Sequence, residues 1–472
     1  MNPSSESTRL SVGEKVAYGL GDTASNFFFQ AFNLFLVYYY TDVFGLSPAA
    51  VGTMMLFTRC LDAIMDPLMG ALADRTQTKW GKYRPYLLWV AIPYGLIGYL
   101  MFSNPALSPA GKLVFAYITY SLMWVAYTAI NIPYSALMGV MSSSSSDRTS
   151  LSTFRFAFAF TGAFLIGTLV LPLKNWLGGG SFFHAQSSTA IEVINQAAGF
   201  KYTMAIFAIV SVVLFFITFA KTKERVHPPA GQKNSIKADL KDLAANGPWL
   251  VLFFVAFLTL TNVGVRNAAL IYFFKYNVGD EAKATFFMSS GSVAFIAGAL
   301  ATKLFLKFCD RRRLMIILTG LNAIAIAALY FIDPRQIVLL YVINFIGTFV
   351  AGPTPAIVWS LYADTADYGE WKFSRRSTAL VFSAAVFAQK VGLAVGSAFV
   401  GWALKFTGFV PNAIQAVEAK QGIRVMFTLV PGAFGLLSAL AIIFYSLDDQ
   451  RVRQIETDLK GRKSEFTAPA AA

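Results

Sequence analysis

The sequence predicts an all-α membrane protein with about twelve spanning helices. Hydrophobic residues make up 56% of the 472 positions and charged residues only 14%, whereas roughly a quarter of the residues in a soluble domain are charged. Apolar runs of about 20 residues, long enough to cross ~30 Å of hydrocarbon, recur along the whole chain. Because hydrocarbon offers no water to unpaired backbone groups, segments of this kind must be helical.

Twelve apolar segments follow one another in order. We expect spans at 16–40, 49–73, 85–103, 112–138, 150–173, 200–220, 248–276, 283–306, 314–332, 336–362, 378–406 and 424–446. Six of them precede a polar stretch at 221–247 and six follow it. This layout predicts an N-terminal six-helix bundle over 1–220, a cytoplasmic linker over 221–247 and a C-terminal six-helix bundle over 248–446. The last segment, 447–472, is polar and basic and reads as a mostly disordered cytoplasmic tail.

The distribution of basic residues predicts the orientation in the membrane. The loop at 41–48 has no Lys or Arg, whereas the loop at 74–84 carries Arg75, Lys79, Lys82 and Arg84. Since cytoplasmic loops are enriched in these residues, both termini are expected in the cytoplasm. The formal charge of +14 is therefore explained by topology, and no nucleic-acid partner is predicted. Residues 1–15 are polar and the first apolar segment has full spanning length, so no cleavable signal peptide is expected.

Enzymatic function is disfavoured by the scarcity of reactive side chains. The only histidines, His184 and His227, fall in loops, and the only cysteines, Cys60 and Cys309, fall in or beside apolar segments. These positions offer neither a metal cluster nor a nucleophile–base pair, and the extramembrane segments are too short for a catalytic domain. We therefore predict a secondary transporter, without enzymatic activity or a cofactor.

Two halves of six spans joined by a basic linker are typical of the major facilitator fold. The loop after the second span strengthens this assignment, because its string resembles the loop signature of that superfamily: Gly70, Asp74, Arg75, Gly81, Lys82 and Arg84. Gly70 would permit close helix contact, and Asp74 would neutralise a helix end or a basic partner. A different twelve-span fold with a merely structural basic loop is the alternative.

Charged residues inside the spans point to a site for a coupling ion. A charge at mid-membrane costs about 2.5–3.5 kcal/mol on insertion scales, so each one needs a function or a partner. Arg59, Asp62 and Asp66 are spaced i, i+3, i+7 and share one face of span 2. Two carboxylates one turn apart suit a hard cation, or a proton if one of them is protonated. A structural ion pair with Arg59 is the alternative.

A second polar set fits a polyhydroxylated ligand. Tyr127, Asn131 and Tyr134 share one face of span 4, where aromatic planes can stack on a sugar ring while amide and hydroxyl groups pair with its hydroxyls. Packing between helices is the alternative for such a stripe. Several further polar residues inside the spans need partners, which a cavity between the halves would supply: Asp22, Asn26, Arg155, Arg266 and Lys390.

Several strings make the chain resemble the glycoside–pentoside–hexuronide:cation symporter family over nearly its whole length. They are Tyr18-Gly-Leu-Gly-Asp22, Tyr38-Tyr-Tyr-Thr-Asp42, Arg59-Cys-Leu-Asp62-Ala-Ile-Met-Asp66-Pro67, Lys79-Trp-Gly-Lys-Tyr-Arg-Pro85, Asn131-Ile-Pro-Tyr134 and Ala363-Asp-Thr-Ala-Asp-Tyr-Gly-Glu-Trp371. The last string, expected between spans 10 and 11, is close to a family fingerprint. The resemblance implies a cation-coupled importer of sugars or glycosides in the plasma membrane of a bacterium, working as a monomer.

The resemblance also assigns roles to individual residues. Asp62 and Asp66 fall on the cation-site carboxylates, and Thr128 falls on a hydroxyl that completes the site for Na⁺ or H⁺. Asn26 and Asn131 fall on positions that are aspartates binding sugar hydroxyls in members of the melibiose type. Basic residues that line the same cavity in the family correspond to Arg155 and Lys390.

Departures from the melibiose type affect the expected substrate and ion. Asn26 and Asn131 replace two carboxylates while Arg155 and Lys390 remain, which makes the cavity less hostile to an anion. We therefore hypothesise a uronide or other acidic glycoside, ahead of a neutral pentoside. Met65 replaces an amide beside the cation site, which weakens the case for sodium in particular. A lipid carrier of the same superfamily, an uncoupled sugar facilitator, an efflux pump and a transport-derived sensor are the alternatives.

Overall fold

The computed structural model describes residues 10–142, 145–180, 190–225, 241–307, 309–373 and 378–467, and these ranges are helical, without a named strand. The α-helices are α1 Val12–Ala31, α2 Pro48–Arg75, α3 Arg84–Trp89, α4 Ala91–Met101, α5 Pro109–Met141, α6 Ser145–Leu177, α7 Ala190–Lys221, α8 Gly247–Tyr272, α9 Lys283–Leu300, α10 Thr302–Phe305, α11 Arg311–Ala328, α12 Ile337–Ala351, α13 Thr354–Phe373, α14 Thr378–Phe406, α15 Val417–Phe427, α16 Leu429–Ile442 and α17 Asp449–Thr467. Short π-helical turns follow α1, at Phe32–Leu36 and Tyr39–Val43, and α8, at Phe273–Val278.

The helices match the predicted spans in number and position. Within the described ranges, nine helical segments are long and apolar enough to cross a membrane, and shorter apolar stretches occupy Pro48–Thr58 and Ala91–Met101. Together with α1 and its π-helical turns, these account for the twelve predicted segments. Ser47 and Ser108 are the N-cap residues of α2 and α5, and each is followed by a proline, Pro48 or Pro109. Serine is favoured at the N-cap and proline in the first turn, so each pair is a strong signal for a helix start.

Two predictions about the second half of the chain were wrong. The string at 363–371, expected between spans 10 and 11, lies within α13, where Leu361, Tyr362 and Ala366 are buried in a hydrophobic core. The segment after residue 447 forms the helix α17 where the sequence predicted disorder. Its Val452, Ile455 and Leu459 repeat at helical spacing and are buried in the same core, so packing of one face stabilises a helix that is otherwise polar.

The chain forms two compact units that differ from a simple division into halves. The first unit comprises Met1–Ala230, Leu270–Ser289 and Val400–Lys420, and the second comprises Gly231–Ala269, Ser290–Phe399 and Gln421–Ala472. The two six-helix bundles joined by a linker at 221–247 therefore stay a prediction. Residues 226–240 of that linker, with His227, and His184 lie outside the described residues.

The basic loop after α2 is anchored within the first unit by Glu224. The backbone N–H groups of Lys82, Tyr83 and Arg84 donate to its carboxylate at 2.9, 2.8 and 3.0 Å. Gly81 makes this possible, because its φ is 109° and an added Cβ would lie 2.4 Å from the Glu224 carboxyl carbon. Among the described residues, the contact at Gly70 is an ordinary one, since an added Cβ there would meet Ile132 at 3.9 Å. The Asp74 side chain is outside the described part of the structure.

A buried polar network ties the π-helical end of α1 to other parts of the first unit. Asp42, whose side chain is fully buried, accepts hydrogen bonds from Lys275 Nζ at 3.0 Å and from Tyr276 Oη. The Lys275 ammonium also donates to Asn412 Oδ1 at 2.7 Å. Nearby, Glu281 pairs with Lys174 and accepts a hydrogen bond from Tyr38 at 2.8 Å. We call these seven residues the α1-end network.

Candidate functional site

The two carboxylates predicted to bind the coupling ion share one hydroxyl. Asp62 and Asp66 lie one turn apart on α2, and Thr128 lies on α5. The Thr128 Oγ1 atom is 2.9 Å from Asp62 Oδ1 and 3.0 Å from Asp66 Oδ1. Asp62 is buried and Asp66 is half-buried. The side chain of Arg59, the alternative partner for these carboxylates, lies outside the described part of the structure.

The number of hydrogens at this position limits how the three groups can be satisfied. A threonine hydroxyl carries one hydrogen and two lone pairs, so it can donate to only one of the two carboxylates at a time. The second short contact is favourable if that carboxyl is protonated and donates to the hydroxyl. It is equally favourable if a cation lies among the oxygens, since hard cations prefer carboxylate and hydroxyl oxygens. The geometry therefore suits a proton or a hard cation.

A tight ion pair joins α1 to α6 in the same unit. Arg155 Nε donates to Asp22 Oδ2 at 2.6 Å, and the side chains are 25% and 9% exposed, respectively. The Arg155 guanidinium also lies 5.2 Å from the ring centroid of Tyr134 on α5. These contacts hold the positive charge of Arg155 between a carboxylate and the face of an aromatic ring, an arrangement that stabilises a partly buried cation.

Phe29, Trp124 and Tyr127 form an aromatic wall near the two asparagines that are expected to contact a sugar. Tyr127 stacks on Phe29 with ring centroids 5.7 Å apart and contacts Trp124 at 5.3 Å. Asn131 Nδ2 donates to the Tyr127 carbonyl at 3.2 Å, and Asn26 Nδ2 donates to the Asp22 carbonyl at 2.9 Å. Each amide thus uses one N–H on its own helix. Its oxygen and second N–H suit the mixed donors and acceptors of sugar hydroxyls.

The remaining two predicted site residues belong to the second unit. Arg266 on α8 donates from Nη2 to Asn344 Oδ1 at 2.7 Å, and its guanidinium lies 5.7 Å from the ring of Phe427. Thr348 in turn donates to the Asn344 carbonyl oxygen at 2.6 Å. Lys390 is half-buried on α14. Arg266 therefore takes part in a polar cluster of its own unit.

The first unit thus brings together eight of the ten predicted residues, on helices α1, α2, α5 and α6. These are Asp22, Asn26, Asp62, Asp66, Tyr127, Thr128, Asn131 and Arg155. Three aromatic residues of this site were missed: Tyr18, Phe29 and Trp124. Helical spacing could have found two of them, because Phe29 follows Asp22 by seven residues and Trp124 precedes Asn131 by seven.

Comparisons with known proteins show which family the chain belongs to. The profile of a family described as MFS/sugar transport protein matches residues 17–449. The putative glycoside/cation symporter YagG of Escherichia coli K12 is 36% identical over 460 residues, covering 96% of this chain and 95% of that protein. The isoprimeverose transporter of Lactiplantibacillus pentosus is 35% identical over 465 residues, with coverage of 97% and 93%.

A more distant relative and a solved structure are also similar to this chain. The glucuronide carrier protein homolog of Escherichia coli K12 is 30% identical over 451 residues and covers 95% of both chains. Among solved structures, the D-xylose–proton symporter superposes with a TM-score of 0.61 over 91% of this chain and 96% of that one. Its sequence is 16% identical, so this likeness concerns the fold alone.

Proposed function

The chain belongs to the MFS/sugar transport protein family, and from that membership we propose that it is a cation-coupled symporter that imports a sugar or glycoside. It is a membrane-embedded transporter and not an enzyme. The observation that carries the proposal is the position of the Thr128 hydroxyl, 2.9 and 3.0 Å from the carboxylates of Asp62 and Asp66. The protein functions as a monomer in a bacterial inner membrane, with both termini in the cytoplasm.

Coupling follows from the neighbourhood of the two sites on α5. A cation or proton offsets one of the two negative charges of Asp62 and Asp66 and strengthens the contact between α2 and Thr128. The preceding residue in the chain, Tyr127, belongs to the aromatic wall, and Asn131 lies about one turn after Thr128 on the same helix. Ordering α5 for the cation therefore orders the sugar contacts. By thermodynamic linkage, the cation must raise the sugar affinity by the same factor as the sugar raises the cation affinity.

Alternating access then converts this coupling into accumulation. The carrier loaded with both ligands rocks inward and releases them, and the empty carrier returns. Each positive charge that crosses ~100 mV contributes about 2.3 kcal/mol. This energy corresponds to roughly fifty-fold accumulation of the sugar before any ion gradient is counted.

The Arg155–Asp22 pair leads us to reverse the order of substrates hypothesised from the sequence and to place a neutral glycoside first. Asp22 already balances the charge of Arg155, so an uncharged ring leaves no buried charge without a partner. The isoprimeverose transporter among the relatives fits this choice. An acidic uronide is the second candidate, because an arginine can also take a carboxylate and a glucuronide carrier homolog is among the relatives.

Uptake into proteoliposomes tests the proposal. Labelled neutral glycosides and uronides are offered with sodium and proton gradients imposed separately, in the wild type and in Asp62→Asn and Asp66→Asn. Asp333→Asn, in an exposed turn where Asp333 Oδ1 accepts from Arg335 N, is the matched control.

We expect accumulation above equilibrium that requires one gradient, persists in the control and is lost in both site variants. Equilibration without accumulation under every gradient would indicate the uncoupled facilitator. Full coupled accumulation in both site variants would contradict the assignment of the cation site. Transfer of lipid without any sugar uptake would favour the lipid carrier.

A further inference from the structure

Arg155 is bonded to Asp22 and lies against the ring of Tyr134. Its ion-pair hydrogen bond runs from Nε, the guanidinium nitrogen nearest the aliphatic chain, to Asp22. Nε donates one of the five guanidinium N–H groups, and the other four belong to the terminal fork formed by Nη1 and Nη2. A quarter of the side chain is exposed, and the fork carries most of the N–H groups with which Arg155 can bind a ligand.

Tyr134, the ring against which Arg155 lies, is held in place by Tyr18. Tyr18 Oη donates to the Tyr134 carbonyl at 3.2 Å, and Tyr134 Oη donates to the Tyr18 carbonyl at 2.7 Å. The two rings stack with centroids 4.6 Å apart, and both side chains are fully buried. Gly21 leaves room for this pair, since an added Cβ would lie 2.6 Å from Tyr134 Cε2. Reciprocal hydrogen bonds between α1 and α5 therefore fix the ring on which the guanidinium rests.

Asp22 is buried more deeply than the group that it holds. Its side chain is 9% exposed against 25% for Arg155, and its backbone carbonyl accepts the Asn26 amide. A ligand entering from the exposed side of Arg155 would meet the fork before it met the Asp22 carboxylate. Asp22 is therefore better placed to support Arg155 than to contact a sugar directly.

We propose that Asp22 is a positioning residue: it orients Arg155 so that the Nη1–Nη2 fork binds two adjacent acceptor oxygens of the substrate. The Tyr18–Tyr134 pair is the platform for this orientation. The inference rests on the proposed function and deepens it. Two neighbouring oxygens are found in a vicinal diol of a glycoside and in the carboxylate of a uronide, and the planar fork matches the spacing of both. A lysine at position 155 would keep the ion pair and lose the fork.

Substitutions at position 22 separate positioning from direct contact. Asp22→Asn keeps an oxygen that accepts from Arg155 Nε but removes the charge, whereas Asp22→Ala removes both. Arg155→Lys tests the fork, and Thr161→Ala is the control, because Thr161 is exposed on α6 and bonds to its own helix at Ala157. Purified variants in nanodiscs are titrated with methyl β-glucoside and methyl β-glucuronide, which differ only at C6, with sodium or protons in excess.

For the probe that the wild type binds, we expect Asp22→Ala and Arg155→Lys to weaken affinity on the order of ten- to a hundredfold, the range of one charged hydrogen bond. Asp22→Asn should restore most of the loss for the glucoside, while Thr161→Ala leaves it unchanged. A preference of the wild type for the glucoside identifies a diol on the fork, and a preference for the glucuronide identifies a carboxylate.

Three other results would overturn the inference. Equal losses in Asp22→Asn and Asp22→Ala would mean that the Asp22 charge itself acts on the substrate. Unchanged affinity in both would mean that Arg155 needs no support, and full affinity in Arg155→Lys would exclude the fork. Thermal unfolding of each variant identifies a loss caused by misfolding, and Asp22→Glu then serves as the second acceptor variant. A wild type that binds neither probe would instead contradict the proposed function.

Discussion

Replacing Thr128 by valine isolates the contribution of one hydroxyl to the coupling site. Valine has nearly the shape of threonine, so the packing between α2 and α5 is kept while the contacts at 2.9 and 3.0 Å to Asp62 and Asp66 are lost. Because the hydroxyl has one hydrogen, only one charged hydrogen bond should be counted, about 1.5–3 kcal/mol. At 1.36 kcal/mol for each factor of ten, the cation affinity should fall about 10- to 150-fold.

The assay is the initial rate of sugar uptake into proteoliposomes as a function of cation concentration, at fixed sugar. Thr119→Val is the matched control, because Thr119 is also buried on α5 and donates to carbonyls of its own helix, Phe115 at 2.8 Å and Ala116 at 3.3 Å. The half-saturating cation concentration should rise in Thr128→Val and stay near the wild-type value in the control. Linkage requires the cation-induced gain in sugar affinity to shrink as well.

A half-saturating concentration that moves no further in Thr128→Val than in Thr119→Val would refute this reasoning. The hydroxyl would then be a packing group, and the carboxylates would bind the ion without it. A loss of maximal rate with unchanged cation affinity would also contradict it, since the hydroxyl would then act after the ion has bound.

Three further predictions concern stability, measured by thermal unfolding of purified protein. Ile455→Ala should lower the free energy of unfolding by about 2–5 kcal/mol, because Ile455 of α17 is 2% exposed, whereas Ile414→Ala at a 98% exposed position should have little effect. Gly298→Ala should destabilise the protein, since its Cβ would lie 1.9 Å from the Phe349 carbonyl oxygen. Gly139→Ala is its control, since an added Cβ there would meet nothing within 4 Å among the described residues. The hydrogen bond from Lys15 holds the pKa of Asp147 below its ordinary value. A depressed pKa contributes stability that is lost only as pH falls through the folded value. The deficit of Asp147→Asn should therefore persist from neutral pH down to about pH 4 and close below it; a deficit that closes between pH 7 and 5 would contradict this.

The sequence predicted the helices well where composition alone decides. A run of apolar residues must be helical in a membrane, and the segment expected at 378–406 coincides with α14, Thr378–Phe406. Prediction was weaker where packing decides. Asp449–Thr467 is polar on average, and three buried side chains at helical spacing in its described part, Val452, Ile455 and Leu459, show why it is a helix. The string at 363–371 was similarly misread, because its charged residues outnumber those of a typical span.

The candidate site was predictable as far as helical periodicity reaches. Spacing placed Asp62 with Asp66, and the family resemblance added Thr128. Contacts between helices were not accessible in this way: no spacing indicates that Arg155 meets Asp22, or that Tyr18 and Tyr134 bond to each other's backbone. Arg266 shows the opposite difficulty. Its charge inside a span marked it as a candidate site residue, but its hydrogen bond to Asn344 depends on how two helices pack within the second unit.

The α1-end network has a consequence for water. Asp42 with Lys275 and Glu281 with Lys174 are ion pairs from which solvent is almost excluded. Any motion that separates them exposes four charges, and such charges are strongly stabilised only when a hydration shell replaces the lost partner. Separation of these ion pairs and entry of water at this end of the unit are therefore a single event. Re-forming the pairs requires the water molecules that hydrate the four charges to be removed. The speed of that motion should depend on hydration as much as on the helices themselves.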